Sequence, residues 1–378
     1  MSKQVDLSEA HQLIRLVEAD DARLGIAPKR RRKPPQVAWL IAKAPFLGGE
    51  YYRATRPAML AANRLGWGTC VGLQLGTVKG EPRIAVQAIG GHVMFPDVLV
   101  VRPIGKATEN SQRSLAEMIE RAHEAGQLVV ADLDDDVWAH EDWTPESRPD
   151  DDEYETWCWD ADAWLVSTEP IARRVASLLR RDVPVVVAPN VFDAPATCRP
   201  VPGRRIGTRL WLSGRMSADR ALYEELYGPW LELHDLTFVH LGADDDGPRF
   251  DFPRNRLLEL PSTDLLTMRE TLAATLSIGA ICVADHPYNR AKTLTHPVEL
   301  AGAGLPMVVA TALSLYDEVP GKVEPTPSAV WGRLVELLDH DRWQAESDIA
   351  RAWAAEQAIG AETAYLGAID DLAARLGI

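Results

Sequence analysis

A lysine, a histidine and a glutamate stand close together in the last third of the chain. Lys292, His296 and Glu299 are four and three residues apart, so they share one face if helical geometry extends back to all three. A cation suits the phosphate groups of a ligand, and a carboxylate suits the paired hydroxyls of a ribose. These residue types therefore indicate a ligand that carries both groups.

The sequence around these residues predicts a strand, a polar loop, a helix and a second strand. Ala280–Ala284 and Pro306–Ala310 are short apolar runs, and Leu294–Ala303 has helical spacing and is followed by Gly304. Pro297 suits a first turn, which moves the expected start of the helix to Thr295. In such a unit the loop and the helix start lie at the carboxyl edge of a parallel sheet, where ligands bind and helix amides favour anions.

The order N-x-x-K-T and then E-L-A-x-x-G-x-P-M-V-V-A resembles the donor-binding segment of GT-B glycosyltransferases, in particular the retaining group 1 family of phage and bacterial type. The resemblance implies that Lys292 lies near the donor diphosphate and that Glu299 holds the nucleotide ribose. It extends the donor site to Asn289, Thr293 and His296. One departure is Ala291, because the family commonly has a second glutamate eight positions before the first. One contact to the donor sugar is therefore either missing or supplied by a neighbour such as Asp285 or Asn289.

Two further loops carry the resemblance. Gly48 and Gly49 stand between a first strand and a first helix, where glycines let a backbone approach a ligand closely. In the family this loop faces the donor. Gly214 and Arg215 occupy the first loop of the second domain, where the family has a basic residue against the diphosphate. Arg215 and Lys292 are therefore the predicted catalytic residues.

The composition is typical of a globular protein, and the length predicts two domains. The chain has 378 residues, a formal charge of −15, and no run of about 20 apolar residues that could span a bilayer. The charge disfavours broad nonspecific binding to nucleic acid or anionic membranes. No signal peptide is recognisable, and four scattered cysteines suit a reducing compartment. We expect a cytoplasmic protein, in the host cytoplasm if a phage encodes it.

Strand and helix signals alternate along both halves, which predicts α/β architecture with doubly wound parallel sheets. With the resemblance, the expected fold is GT-B: two Rossmann-like domains facing a cleft, with a C-terminal helix crossing back to the first. The predicted parts are an N-terminal helix and basic linker (1–36), an acceptor domain (37–195), a donor-binding domain (206–345) and terminal helices (346–378). The last stretch, Arg342–Leu376, has apolar residues at helical spacing and an expected interruption at Gly360.

An acidic segment follows the predicted strand Leu128–Ala131, and it allows three interpretations. Asp132 and Asp134 have the D-x-D form that holds a divalent metal in GT-A glycosyltransferases. They also have the form that supplies the nucleophile and acid of haloacid dehalogenase phosphatases, although Asp136 departs from that pattern. The third interpretation is the acidic loop of phage-like GT-B members, which borders the cleft without necessarily binding metal.

Tryptophans are concentrated in the same region. Trp164 lies within a predicted strand and is expected in the core, whereas the others stand among acids and offer aromatic faces to a sugar ring or a base. His140 is a weak candidate for a general base. The acceptor candidates are Asp134, Asp136, Trp138, His140 and Trp157.

The sequence thus predicts a hexosyl- or pentosyltransferase that uses a nucleotide-sugar donor such as a UDP- or GDP-sugar. The expected acceptor is a protein, a glycan or a modified base of phage DNA. The resemblance implies that the reaction retains configuration, and neither a metal nor any other cofactor is expected. A phosphohydrolase using Asp132 and Asp134, or a nucleotide-binding protein without turnover, are the alternatives. No G-x-G-x-x-G or P-loop motif is present, which disfavours NAD enzymes and P-loop ATPases.

Overall fold

The computed structural model describes residues 34–41, 50–77, 81–89, 91–102, 119–139, 160–196, 198–209, 217–242, 249–261 and 264–378. Several predicted site residues lie outside these ranges, namely Gly48, Gly49, His140, Trp157, Gly214 and Arg215. The described chain divides into two compact units. Unit 1 draws its residues from Met1–Asp134, Pro149–Val191 and Glu362–Ile378, and unit 2 draws its residues from Asp135–Arg148 and Phe192–Ala361.

Unit 1 contains an eight-stranded sheet in the order β4-β3-β2-β1-β5-β6-β7-β8. In this sheet order, neighbouring strands from β2 through β1 to β8 are parallel. β3 pairs with β2, and β4 with β3, in antiparallel fashion. Short runs rich in valine, which favours strands, form most of this sheet. The strands are β1 (Gln36–Leu40), β2 (Gly68–Thr77), β3 (Ile84–Ala88), β4 (Val93–Met94), β5 (Val98–Val101), β6 (Leu128–Leu133), β7 (Ala163–Val166) and β8 (Val185–Val187).

Helices cover this sheet. The first, α1, joins a π-helical turn, an α-helical turn and a second π-helical turn, and it ends at Gly66 with a positive φ of 68°. Its parts are Tyr51–Thr55, Arg56–Leu60 and Ala61–Leu65. A helical segment at 119–124 and α2 (Glu169–Leu178) follow. Trp39, Ala61 and Leu165 pack in one core cluster with Tyr365 and Ile369 from the end of the chain, so Glu362–Ile378 completes the hydrophobic core of unit 1.

Unit 2 contains a six-stranded sheet in the order β11-β10-β9-β12-β13-β14, and every pair in it is parallel. Its core includes Ile206, Phe238 and Val308, all fully buried. The strands are β9 (Arg205–Arg209), β10 (Thr237–Leu241), β11 (Leu257–Leu260), β12 (Ile278–Cys282), β13 (Met307–Ala310) and β14 (Lys322–Val323).

The helices of unit 2 begin and end at recognisable signals. Asp264 caps one helix through the backbone N–H of Thr267, at 2.9 Å, and Thr326 caps another. Gly304, with φ of 80°, follows the helix that carries Glu299. The helices are α3 (Ser217–Leu233), α4 (Leu265–Thr275), α5 (Pro287–Arg290), α6 (Thr295–Gly302), α7 (Pro327–Leu338) and α8 (His340–Leu376), and α8 belongs to unit 1 from Glu362 onward.

The predicted α/β class with parallel sheets is confirmed, but one local prediction is wrong. The final helix runs through Gly360 without interruption. A glycine inside a helix costs only about 1 kcal/mol relative to alanine. Packing on both sides of Gly360, by Trp343 and by Tyr365, outweighs that cost.

Candidate functional site

The best-defined site in unit 2 lies at the carboxyl edge of its sheet. Strands β9 and β12 are neighbours and run parallel, so the residues that follow them meet at the same edge. Arg209 is the last residue of β9. The chain that leaves β12 passes through α5 and reaches α6, which begins at Thr295 as its sequence predicts. This path contains Asn289, Lys292, Thr293, His296 and Glu299.

Asp219 joins two parts of this edge. It lies in the first turn of α3, is 4% exposed, and accepts through Oδ1 from the Ala284 backbone N–H at 2.8 Å and from Asn289 Nδ2 at 2.9 Å. Asn289 Nδ2 also donates to the Ala284 carbonyl at 3.0 Å. Burial raises the pKa of Asp219, against the opposing effects of these hydrogen bonds and of Lys292. These hydrogen bonds therefore fix the side chain of Asn289 within the loop that follows β12.

Lys292 stands where the loop turns toward α6. Its Nζ lies over the ring of Tyr288, 4.6 Å from the ring centroid, in a cation–π contact. The ammonium is partly exposed, and the hydroxyls of Thr293 and Thr295 lie 2.7 Å apart beside it in sequence. A cation just ahead of a helix N-terminus is well placed for an anionic ligand.

Glu299 lies in the second turn of α6 and is fully buried. Both of its carboxylate oxygens accept from Nη1 of Arg209, each at 2.7 Å. Helical side chains lean toward the N-terminus of their helix, which directs the Glu299 carboxylate toward the end where Lys292 lies. The structure thus brings an acidic group and two cations to one sheet edge.

His296 lies one turn before Glu299 and does not add to the positive charge. Its pKa is lowered to about 4, mainly by burial; the charge of Glu299 opposes this shift, and the charges of Lys292 and Arg209 add to it. The imidazole is therefore neutral at neutral pH. It can donate or accept a hydrogen bond but cannot act as a cation for phosphate.

Unit 1 has its own cluster of charged side chains at a sheet edge, centred on Asp132. Nε of the buried Arg53 donates to both Asp132 oxygens, at 3.0 and 3.2 Å, and Nη2 also bonds to Oδ1. Nη1 of Arg53 donates to the carbonyl of Ala188. Burial raises the pKa of Asp132, which is 1% exposed, although Arg53 acts in the opposite direction. Asp132 is therefore a buried carboxylate whose two oxygens both bond to Arg53.

Arg102 continues this cluster toward the surface. Its Nη2 donates to Asp134 Oδ1 at 2.5 Å, and its Nη1 lies 3.7 Å from Glu50 Oε1. The carbonyl of Asp134 accepts from the Ser167 hydroxyl at 2.9 Å. Burial raises the pKa of Asp134, but the charges of Arg102 and Arg53, together with hydrogen bonds, outweigh burial and lower the pKa. Asp134 is therefore an ion-paired carboxylate at neutral pH.

The next part of the acidic segment groups with unit 2. A 3₁₀ turn at Val137–Ala139 packs against α5, which carries Asn289. Asp136 is buried beside this turn, and Trp138 is half-buried within it. One acceptor candidate thus lies close to the loop of the donor candidates.

Sequence reasoning missed three residues of these edges. Arg209, Asp219 and Arg102 belong to no motif, and only their tertiary partners identify them. Trp164, expected in the core, is fully buried. Within the described ranges, no group of three or more His, Cys, Asp or Glu side chains is arranged to hold a metal ion. None of the described helices has the length and apolar character needed to cross a membrane.

The sequence matches no protein-family model and no curated protein. The structure does resemble solved structures. Sucrose-phosphate synthase from Thermosynechococcus elongatus is 11% identical with a TM-score of 0.60, over 90% of this chain and 99% of that one. T4 phage BGT, in complex with UDP and Mn²⁺, is 11% identical with a TM-score of 0.54, over 89% and 99%.

TarM is a third similar structure, 9% identical with a TM-score of 0.52. The match covers 79% of this chain and 63% of TarM, so the chain spans less than two thirds of the length of TarM. Identities this low establish the fold alone. The fold is GT-B, as the donor-segment resemblance predicts.

Proposed function

We propose that this chain, which has the GT-B fold, is a glycosyltransferase that moves a sugar from a nucleotide-sugar donor to an acceptor. The observation that supports the proposal most is the arrangement of Lys292, Arg209 and Glu299 at the carboxyl edge of the unit 2 sheet. Cations at such an edge suit a diphosphate, and a carboxylate beside them suits a ribose diol.

The proposed chemistry is the electrostatic stabilisation of a leaving group. Negative charge accumulates on the nucleoside diphosphate as the glycosidic bond breaks, and Lys292 and Arg215 stabilise that charge. Glu299 holds the ribose, and the neutral His296 contributes a hydrogen bond to the donor. Gly48, Gly49 and Gly214 would let the backbone approach the donor closely. We propose hexosyl or pentosyl transfer with retention of configuration.

We expect turnover to persist in the presence of a chelator, because side chains rather than a bridging metal neutralise the diphosphate in this mechanism. The test incubates the protein with a panel of UDP- and GDP-sugars and follows the release of free nucleotide, with and without EDTA. UDP-sugars come first in the panel, since T4 phage BGT was solved with UDP.

Two results would contradict parts of this proposal. If EDTA abolished turnover and Mn²⁺ restored it, the metal-independent mechanism would be wrong and a D-x-D role for Asp134 would return. If no nucleotide sugar were consumed but a phosphate ester were hydrolysed, the phosphohydrolase alternative would replace glycosyl transfer.

We also propose that the acceptor is bound along the acidic, aromatic segment from Asp134 to Trp159. The turn with Trp138 packs against α5, one loop away from Lys292. Acidic side chains repel bare polyphosphate, so a protein hydroxyl, a glycan or a modified base in phage DNA is favoured over unmodified duplex DNA.

In Trp138→Ala, we expect transfer to the acceptor to fall while hydrolysis of the donor by water is retained, since Trp138 is not one of the proposed donor ligands. The two rates are measured side by side, with Trp164→Phe as a control for a tryptophan in the core. Equal loss of both rates in Trp138→Ala would mean that Trp138 supports the fold and that the acceptor binds elsewhere.

A further inference from the structure

Arg209 is the partner of the carboxylate on which the proposed ribose site depends. It ends β9, and its Nη1 lies 2.7 Å from each oxygen of Glu299. The Glu299 side chain is 1% exposed and the Arg209 side chain is 19% exposed. The arginine is therefore the solvent-side member of a largely buried ion pair.

The ion pair with Arg209 matters for ribose recognition because it affects whether Glu299 is ionised. A buried carboxylate without a nearby cation tends to take up a proton, because burial disfavours its charged form. An ionised carboxylate has about four acceptor sites on its two oxygens, so it can accept from an arginine and from two hydroxyls at once. A protonated carboxyl group donates through one oxygen and loses that capacity. The cation next to Glu299 thus controls how well Glu299 accepts from a diol.

We propose that Arg209 is a positioning residue that holds Glu299 ionised and oriented, and thereby makes the nucleotide site selective for ribose over deoxyribose. The inference rests on the proposed function, since it takes Glu299 as the ribose ligand. Arg209 acts through Glu299, so its effect depends on the 2′-hydroxyl of the nucleotide. A residue with a merely structural role would weaken ribonucleotides and deoxyribonucleotides equally.

The experiment measures the affinity of the full chain for UDP and 2′-deoxy-UDP by calorimetry, with the GDP pair as a second set. The nucleotide pair whose base gives the tighter binding is then measured with each variant. We expect the unmodified chain to prefer the ribonucleotide by about 10-fold or more, as for a lost hydrogen bond to a charged group. In Arg209→Met and in Glu299→Gln we expect that preference to shrink to about threefold or less. Arg209→Lys keeps a cation and should retain an intermediate preference.

Arg205→Met is the matched control, because Arg205 lies on the same strand and is exposed. It should leave the preference unchanged. The double variant Arg209→Met/Glu299→Gln removes both charges, so it remains informative if Arg209→Met alone fails to fold. Its preference should equal that of Glu299→Gln, since the pair acts as a unit.

Three results would overturn the inference. If Arg209→Met weakened the binding of both nucleotides equally and kept the full preference for ribose, Arg209 would have a structural role only. A double variant with a preference well below that of Glu299→Gln would show that Arg209 acts without Glu299. If the unmodified chain bound neither nucleoside diphosphate, the proposed function would fail together with this inference.

Discussion

Replacing Lys292 by alanine is expected to lower the rate of donor turnover by about 100-fold or more while leaving the fold intact. The ammonium lies at the carboxyl edge of the unit 2 sheet, just ahead of α6, where charge on the leaving diphosphate would grow during the reaction. In the folded chain Lys292 is partly exposed, and its contact with the Tyr288 ring is of a kind that stabilises a fold only modestly. Its loss should therefore affect the transition state far more than the free energy of unfolding.

Steady-state kinetics with the best donor from the panel would measure this effect, and thermal unfolding would check the fold. Lys322→Ala is a suitable control, because Lys322 is another lysine of unit 2 whose partner is Asp317. It should leave turnover near normal. A rate within a few-fold of normal in Lys292→Ala would show that the donor diphosphate binds elsewhere.

Much of the fold could be predicted because its strands are short apolar runs with β-branched residues. Val98–Val101, Ala163–Val166 and Val185–Val187 are runs of this kind, and they form β5, β7 and β8. Where the sequence fails, tertiary pairing decides. β9 has glycine and charged residues among its members, and it is a strand because both of its neighbours pair with it.

The candidate site shows the same division. Lys292 and Glu299 can be recognised from the sequence because they stand seven residues apart in one segment, where a local motif identifies them. Arg209 is 90 residues from Glu299 in sequence, and Asp219 is 70 residues from Asn289. Nothing local distinguishes Arg209 from the many solvated arginines of the chain. Its role follows only from the parallel pairing of β9 with β12, which brings it to the same edge.

The second large effect is expected in unit 1, where Arg53→Met should lower the free energy of unfolding by about 3–5 kcal/mol. Arg53 is fully buried, and its guanidinium is the hydrogen-bonding partner of both Asp132 oxygens. Removing it leaves a carboxylate buried without its cation and also deprives the Ala188 carbonyl of a donor. Domains are commonly stable by only about 5–15 kcal/mol, so this loss is a large share of the total.

Denaturant unfolding followed by circular dichroism measures the change, and hydrogen exchange locates it, because amides of β6 and β8 should lose protection while those of the unit 2 sheet keep theirs. Arg83→Ala is the control, since Arg83 forms a partly exposed pair with Glu81 and its replacement should change stability little. The double variant Arg53→Met/Asp132→Leu replaces the whole pair by apolar groups and should regain much of the lost stability. If the double variant were as unstable as Arg53→Met, the cost would come from packing around Arg53 rather than from the unpaired charge of Asp132.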